Sequence, residues 1–295
     1  GILGSAWSPK FRFEAVSLVA SLLWMKDCVP EGAMLSLRAT TEGRAFPMRN
    51  GLLSSFGLKR VAVASMVIDH IGSFLIRALM DPYRVDGRLV VNQDSPAALR
   101  QLMIGRELCD ILGAVAFPIF CFLVVEGFLH TRDRLRYGRQ MLWFALLSEI
   151  PYNLAHYQSA VSLRLQNVMF TLACAILTLL LISKTEERWR EQKAVRWAMT
   201  AASIAAGMAM AYIIRGEYVF MGPLAAALVY LLRDKGRLRI AGLAPLLVVS
   251  PWTALSVPFL LLYNGERGRG SKWFFYLFYP AHFLVFAALA MVIGG

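Results

Sequence analysis

The chain has 295 residues, 58% hydrophobic and 17% charged, with a mean hydropathy of +0.54 and a net charge of +12. Soluble domains run at roughly 45–50% apolar and 25% charged, so a soluble globular class is excluded. The apolar residues fall in blocks of about 20, the length of a spanning helix, which excludes a β-barrel. The Lys and Arg residues lie in short runs between these blocks, where loop bias accounts for them and no nucleic-acid partner is expected.

Residues 1–50 mix Pro, Gly, Arg and Glu and read as an extension dispensable to a functional domain at 51–295. Their apolar run, 14–24, is too short and interrupted for a span or a cleavable leader. Beyond it, blocks at 60–80, 108–129, 141–157, 166–183, 195–214, 217–232, 240–263 and 273–293 predict an all-α polytopic transmembrane bundle. The count is about eight spans, or about nine if 240–263 breaks at Pro251 into two short passes. The basic connections 130–140, 184–196 and 233–239 are expected in the cytoplasm. Lys59 and Arg60 then mark a cytoplasmic start for the first span, 81–107 is a connection on the opposite side, and the basic loop 264–272 favours the higher count. Cys28, Cys109, Cys121 and Cys174 show no paired spacing, so neither a disulfide framework nor a metal site is expected.

Depth follows from helix rise. His70 lies ten residues beyond Arg60, about 15 Å into a core of about 30 Å, with Asp69 beside it. Glu149, ten residues past Arg139 in an antiparallel span, reaches the same level. Ionisable groups at mid-bilayer cost about 2.5–3.5 kcal/mol each and are functional by default. Adjacent helical residues point about 100° apart, so Asp69 does not simply orient His70; it shares a face with Ser65 and Ser73, and the partner of His70 is expected on another helix, with Glu149 one candidate. Pro118, Pro151 and Pro280 lie inside spans beside Glu149, Tyr279 and His282, which favours a cavity. Glu126 and His130 read as an end pair on one helix face, His156 as structural, and His282 as balanced between site and structure. The loop 264–270 (NGERGRG) offers glycines and arginines to a phosphorylated ligand but lacks the order of a P-loop.

Five blocks, LKRVAVASMVIDHIG (58–72), AFPIFCFLVVEGFLHTR (116–132), FALLSEIPYNLA (144–155), QNVMFTL (166–172) and LLLYNGERGRGSKWFFYLFYPAH (260–282), together resemble the successive blocks of the TraX family. The resemblance implies a membrane acyltransferase taking acetyl groups from cytoplasmic acetyl-CoA, with a pilin or other envelope protein as acceptor, in the bacterial inner membrane. It implies a basic residue, Lys59, ahead of a catalytic His70, and site residues Asp69, Glu126, Glu149, Asn264, Arg267 and His282. Arg60 and Arg269 join Lys59, Asn264 and Arg267 as expected CoA-binding groups, and Tyr279 joins Glu126 and His282 as substrate or structural residues. Two positions depart from the family pattern: Gly113-Ala114 stands where GR is usual, the nearest Gly-Arg being Gly105-Arg106, and Glu217-Tyr218-Val219 replaces DYG.

The leading expectation is therefore an acetyl-CoA-dependent acetyltransferase for an amine or hydroxyl acceptor, with His70 as general base or transient acetyl carrier. A proton-coupled transporter is the rival from another class, although no inverted repeat joins the halves. The third reading is a non-catalytic pilus or envelope assembly factor.

Overall fold

The apolar blocks fold as helices in the computed structural model, which describes residues 51–294 apart from 86–87, 90, 92–94 and 271. The N-terminal extension and Cys28 lie outside the described residues. Helix α1 (Ser55–His70) runs into a π-helical stretch (Ile71–Ile76), then α2 (Arg77–Met80) and a two-residue-strand hairpin, β1 (Arg84–Val85) and β2 (Arg88–Leu89). Then come α3 (Ala97–Gly113), α4 (Ala116–His130), α5 (Arg134–Tyr157), α6 (Val168–Arg188), α7 (Lys193–Ile214) and α8 (Met221–Leu231). Two 3-10 stretches (Gly236–Val248 and Pro251–Ser256), α9 (Val257–Leu261) and α10 (Lys272–Gly294) complete the chain.

Five of the helical segments are long and apolar enough to cross a membrane. α5 is not among these five, yet it too presents apolar side chains outward, with Trp143 71% exposed, Leu147 58% and Ile150 55%. Water would oppose such a stripe, whereas hydrocarbon does not. The core is built around α4, whose Ile119, Cys121, Phe122, Val125 and Phe128 are wholly buried against α1, α6 and α8.

Two expectations are corrected and one is refined. The segment 97–107 is the first part of α3, which packs on α1, rather than a connection. Its charged residues, Arg100, Arg106, Glu107 and Asp110, conceal an amphipathic helix from a hydropathy reading. Pro118 does lie inside the span Ala97–His130, in the first turn of α4, which needs no N–H from its third residue. Arg239 is not in a solvated loop but is buried within the first 3-10 stretch.

The segment 240–263 does break, at Ser250–Pro251. A 3-10 helix rises about 2.0 Å per residue, so the arm Gly236–Val248 covers about 26 Å with few residues. Both ends of this hairpin lie on one face of the bundle. Arg239 pairs with Glu126 near the end of α4, and beyond the second arm the amides of Ser55 and Phe56 donate to the carbonyls of Glu266 and Arg267 at 2.8 and 3.1 Å. The loop 264–268 thereby satisfies the orphan amides that open α1, with Ser54 Oγ accepting from the Gly57 amide.

Candidate functional site

His70 ends the regular part of α1, and the π-helical stretch that follows is the kind of local irregularity often found at working sites. The chain needs Gly72 here, because a Cβ at that position would run into the Cβ of Cys109 on α3. α10 packs along the same stretch and brings His282 to His70, with Nε2 of His282 2.9 Å from Nδ1 of His70. Both rings are buried.

The direction of this hydrogen bond is set by its far end. His282 Nδ1 lies 3.1 Å from the Phe278 carbonyl, which only accepts, so Nδ1 carries a proton. A neutral His282 then has an accepting Nε2, and His70 must donate from Nδ1. That leaves the Nε2 lone pair of His70 without a hydrogen-bond partner among the described residues, 3.8 Å from Asp69 Oδ2. The carboxylate is too far for a direct bond but near enough to favour an imidazolium once it forms.

Around the pair stands an aromatic wall. Phe283 and Phe74 lie 4.9 and 5.5 Å from His70, and Tyr279 lies 5.4 Å from His282, ring centre to ring centre. The third member of the cluster is one that the sequence reading set aside: His156 of α5 lies 4.8 Å from Phe74 and 5.8 Å from Phe283. It sits two turns beyond Glu149 on the same helix face, a periodicity that was available to find it.

Glu149 does not reach His70. Its Oε2 accepts from Asn167 Nδ2 at 2.6 Å, and that asparagine also donates to the Ala145 carbonyl and caps α6 through the Met169 amide. Asp69 faces α3 together with Ser65, whose hydroxyl donates to the carbonyls of Leu112 and Gly113. A Cβ at Gly113 would come within 2.8 Å of Asp69 Cγ, so this glycine is what admits the carboxylate between the helices. Arg106, the arginine of the displaced Gly-Arg, is within electrostatic range of Asp69.

Glu217 is also within electrostatic range of Asp69. It belongs to a turn in which Arg215, Tyr218 and Val219 have φ of 58°, 55° and 43°. Tyr218 is held by a face-to-face stack on Phe117, with 3.6 Å between ring centres. Val219 occupies the position of the family's glycine, and a β-branched residue in the left-handed region costs about 1–2 kcal/mol. Val219→Gly is therefore expected to stabilise the protein by about 1–2 kcal/mol, measured by thermal or denaturant unfolding in detergent.

At the opening of α1 lies a second cluster. Ser55, Phe56, Lys59, Arg267, Gly268, Gly270 and Phe275 line one cleft, with Lys59 Nζ 5.3 Å from the Phe275 ring centre. Among the described residues two cations line it and no carboxylate does, a composition that suits a phosphate. In the loop itself the carbonyls of Glu266 and Arg267 point at α1, and Asn264 Oδ1 accepts from the Glu266 amide to shape the turn. Arg60 and Arg269 are exposed and do not line the cleft. Glu126 meets Arg239 Nη1 at 2.6 Å, while His130 bonds the Glu126 backbone carbonyl rather than its carboxylate. Arg239 was missed because 113 residues separate it from its partner.

Comparison with known proteins concerns the chain as a whole. The family model described as TraX protein matches residues 54–290. A curated relative named "Probable fimbrial assembly protein FimC, serogroup H1", from Dichelobacter nodosus, is 28% identical over 270 residues, 82% of this chain and 98% of the relative. No solved structure matches the chain.

Proposed function

The chain belongs to the TraX family, and on that premise we propose that it is a membrane acyltransferase moving an acetyl group from acetyl-CoA to an amine or hydroxyl acceptor. The observation that carries this reading is the directed chain from the Phe278 carbonyl through His282 to His70, which leaves one imidazole nitrogen free to act as a base. The acceptor's N–H or O–H proton passes to His70 Nε2 as the acceptor attacks the thioester carbonyl. The C–S bond breaks, and the thiolate leaves with that proton as CoA thiol. Such general-base work contributes about 10²–10⁴-fold, and Asp69 supports the charged intermediate state of the ring.

Lys59 and Arg267 are proposed to hold a CoA phosphate. Lys59 lies eleven residues before His70, about 16 Å along the helix, a distance the extended pantetheine arm covers. Arg267→Ala is expected to raise the KM for acetyl-CoA about ten-fold with little change in kcat, read from initial rates of CoA release. We place the protein in a bacterial inner membrane with this cleft on the cytoplasmic side, following the basic loops. A pilin N-terminus is one proposed acceptor.

A second reading, a pilus assembly factor without turnover, draws support from the name of the curated relative. Purified protein given radiolabelled acetyl-CoA separates the two: CoA release matched by label on an acceptor supports the acyltransferase. Acetyl-CoA that stays intact with every amine and hydroxyl acceptor leaves the assembly reading standing.

A further inference from the structure

The inner face of α5 carries polar groups that the histidine pair does not use. Ser148, Glu149, Tyr152 and Asn153 follow one another at offsets that place them on one side of the helix. The other side gives Trp143, Leu146, Leu147 and Ile150 to lipid. Ser148, Tyr152 and Asn153 are at most 1% exposed. Among the described residues, Ser148 Oγ, Glu149 Oε1, Tyr152 Oη and Asn153 Oδ1 are buried and make no hydrogen bond of ordinary geometry, although Asn153 lies beside the Glu149 carboxylate and Tyr152 beside Tyr157.

A single buried polar atom left unpaired costs about 1–3 kcal/mol. Four within six residues of one helix, at the depth of the histidine pair, exceed what a purely structural face tolerates when alanine, leucine and phenylalanine would fill the same space. Asn167 fixes Oε2 of Glu149, and the Asn153 side chain stands beside the same carboxylate. The face adjoins the site: Tyr152 lies 5.4 Å from Phe283, which itself lies 4.9 Å from His70.

We infer that this face is the acceptor subsite, where Ser148, Glu149, Tyr152 and Asn153 bind a head group rich in N–H or O–H donors. With Glu149 ionised, its Oε1 and Asn153 Oδ1 only accept, so the ligand brings at least two donors; the hydroxyls of Ser148 and Tyr152 adapt to either role. A carboxylate or phosphate ligand would meet the Glu149 charge and is rejected. The assignment rests on the acyl-transfer reading for its purpose but not for its detection.

The test uses the full chain in detergent with three probes: glycinamide, whose donors are ammonium and amide, glycerol, whose donors are hydroxyls, and sodium acetate. Without acetyl-CoA, glycinamide or glycerol is expected to raise the unfolding temperature of the wild type and acetate is not, the responding probe identifying which donor chemistry the face takes. Asn153→Leu, Ser148→Ala and Tyr152→Phe should each raise the half-saturating concentration of that probe about ten-fold, the effect of one lost buried hydrogen bond. The two single-oxygen deletions keep the side-chain shape should Asn153→Leu fail to fold. With acetyl-CoA present, the same variants should raise the acceptor KM and leave the acetyl-CoA KM unchanged. The subsite is overturned if no donor probe shifts the wild type, or if the variants gain stability with probe binding unaltered. If a probe binds and the variants lose it, yet no label leaves acetyl-CoA, the subsite stands and the acyl-transfer reading falls.

Discussion

His70→Gln is expected to lower kcat for acetyl transfer about 10²-fold or more, with expression, membrane insertion and acetyl-CoA affinity little changed. Glutamine retains donors and an acceptor at mid-bilayer, so a structural polar cluster survives the exchange, but it accepts no proton as imidazole does. His282 is expected to answer differently, because its role is to receive the Nδ1 proton of His70 and so keep the lone pair on Nε2. An amide oxygen at position 282 can accept that same proton. His282→Gln should therefore keep most of the rate, while His282→Leu, which leaves the His70 tautomer unfixed, should lose about ten-fold or more in kcat. A general base and a positioning residue are told apart by this asymmetry. Equal loss from glutamine at both positions would contradict the direction assigned to the hydrogen bond.

The largest effect on stability is expected at Glu126 and Arg239. Both are buried, their contact is 2.6 Å, and the guanidinium also lies over the Phe122 ring at 4.7 Å. Removing one partner leaves an uncompensated charge, a loss of about 3–5 kcal/mol. Glu126→Gln should thus deplete folded protein in the membrane. Replacing both residues together, as in Glu126→Leu with Arg239→Met, should restore much of it, because well-packed apolar pairs often equal a buried ion pair. The pair ties the end of α4 to the 3-10 arm, next to Tyr263, whose hydroxyl lies 2.9 Å from Ser55 Oγ at the opening of α1. The double variant is a test of that tie: folding should return, and acetyl-CoA affinity should report whether the loop 264–268 kept its place.

The helices were legible where hydrocarbon imposes its own rule, that a spanning segment be long and apolar. This is why 60–80, 166–183, 195–214 and 273–293 fall on helical segments, the ends of 195–214 and 273–293 within two residues and those of 60–80 and 166–183 within five. The same rule hid the start of α3, whose Arg106, Glu107 and Asp110 lower its hydropathy while leaving helix periodicity intact. It also could not tell the 3-10 arm at 236–248 from an α-helix, since both keep an apolar run and differ only in rise. At the site, helix rise placed Asp69, His70 and Glu149 at one depth, but depth carries no information on rotation about the helix axis. His282, 212 residues from His70, was named yet not paired, and Glu149 was considered for a partnership that Asn167 takes instead. Arg239 looked like one more loop arginine because nothing local marks a cation that will be buried on a distant glutamate.

The most direct measurement is a single-turnover experiment with purified protein, radiolabelled acetyl-CoA and an amine acceptor, following label on the acceptor and free CoA thiol together. The wild type is expected to release one thiol per label transferred, and His70→Gln to do so about 10²-fold or more slowly at equal acetyl-CoA occupancy. Label transfer at the wild-type rate by His70→Gln would contradict it.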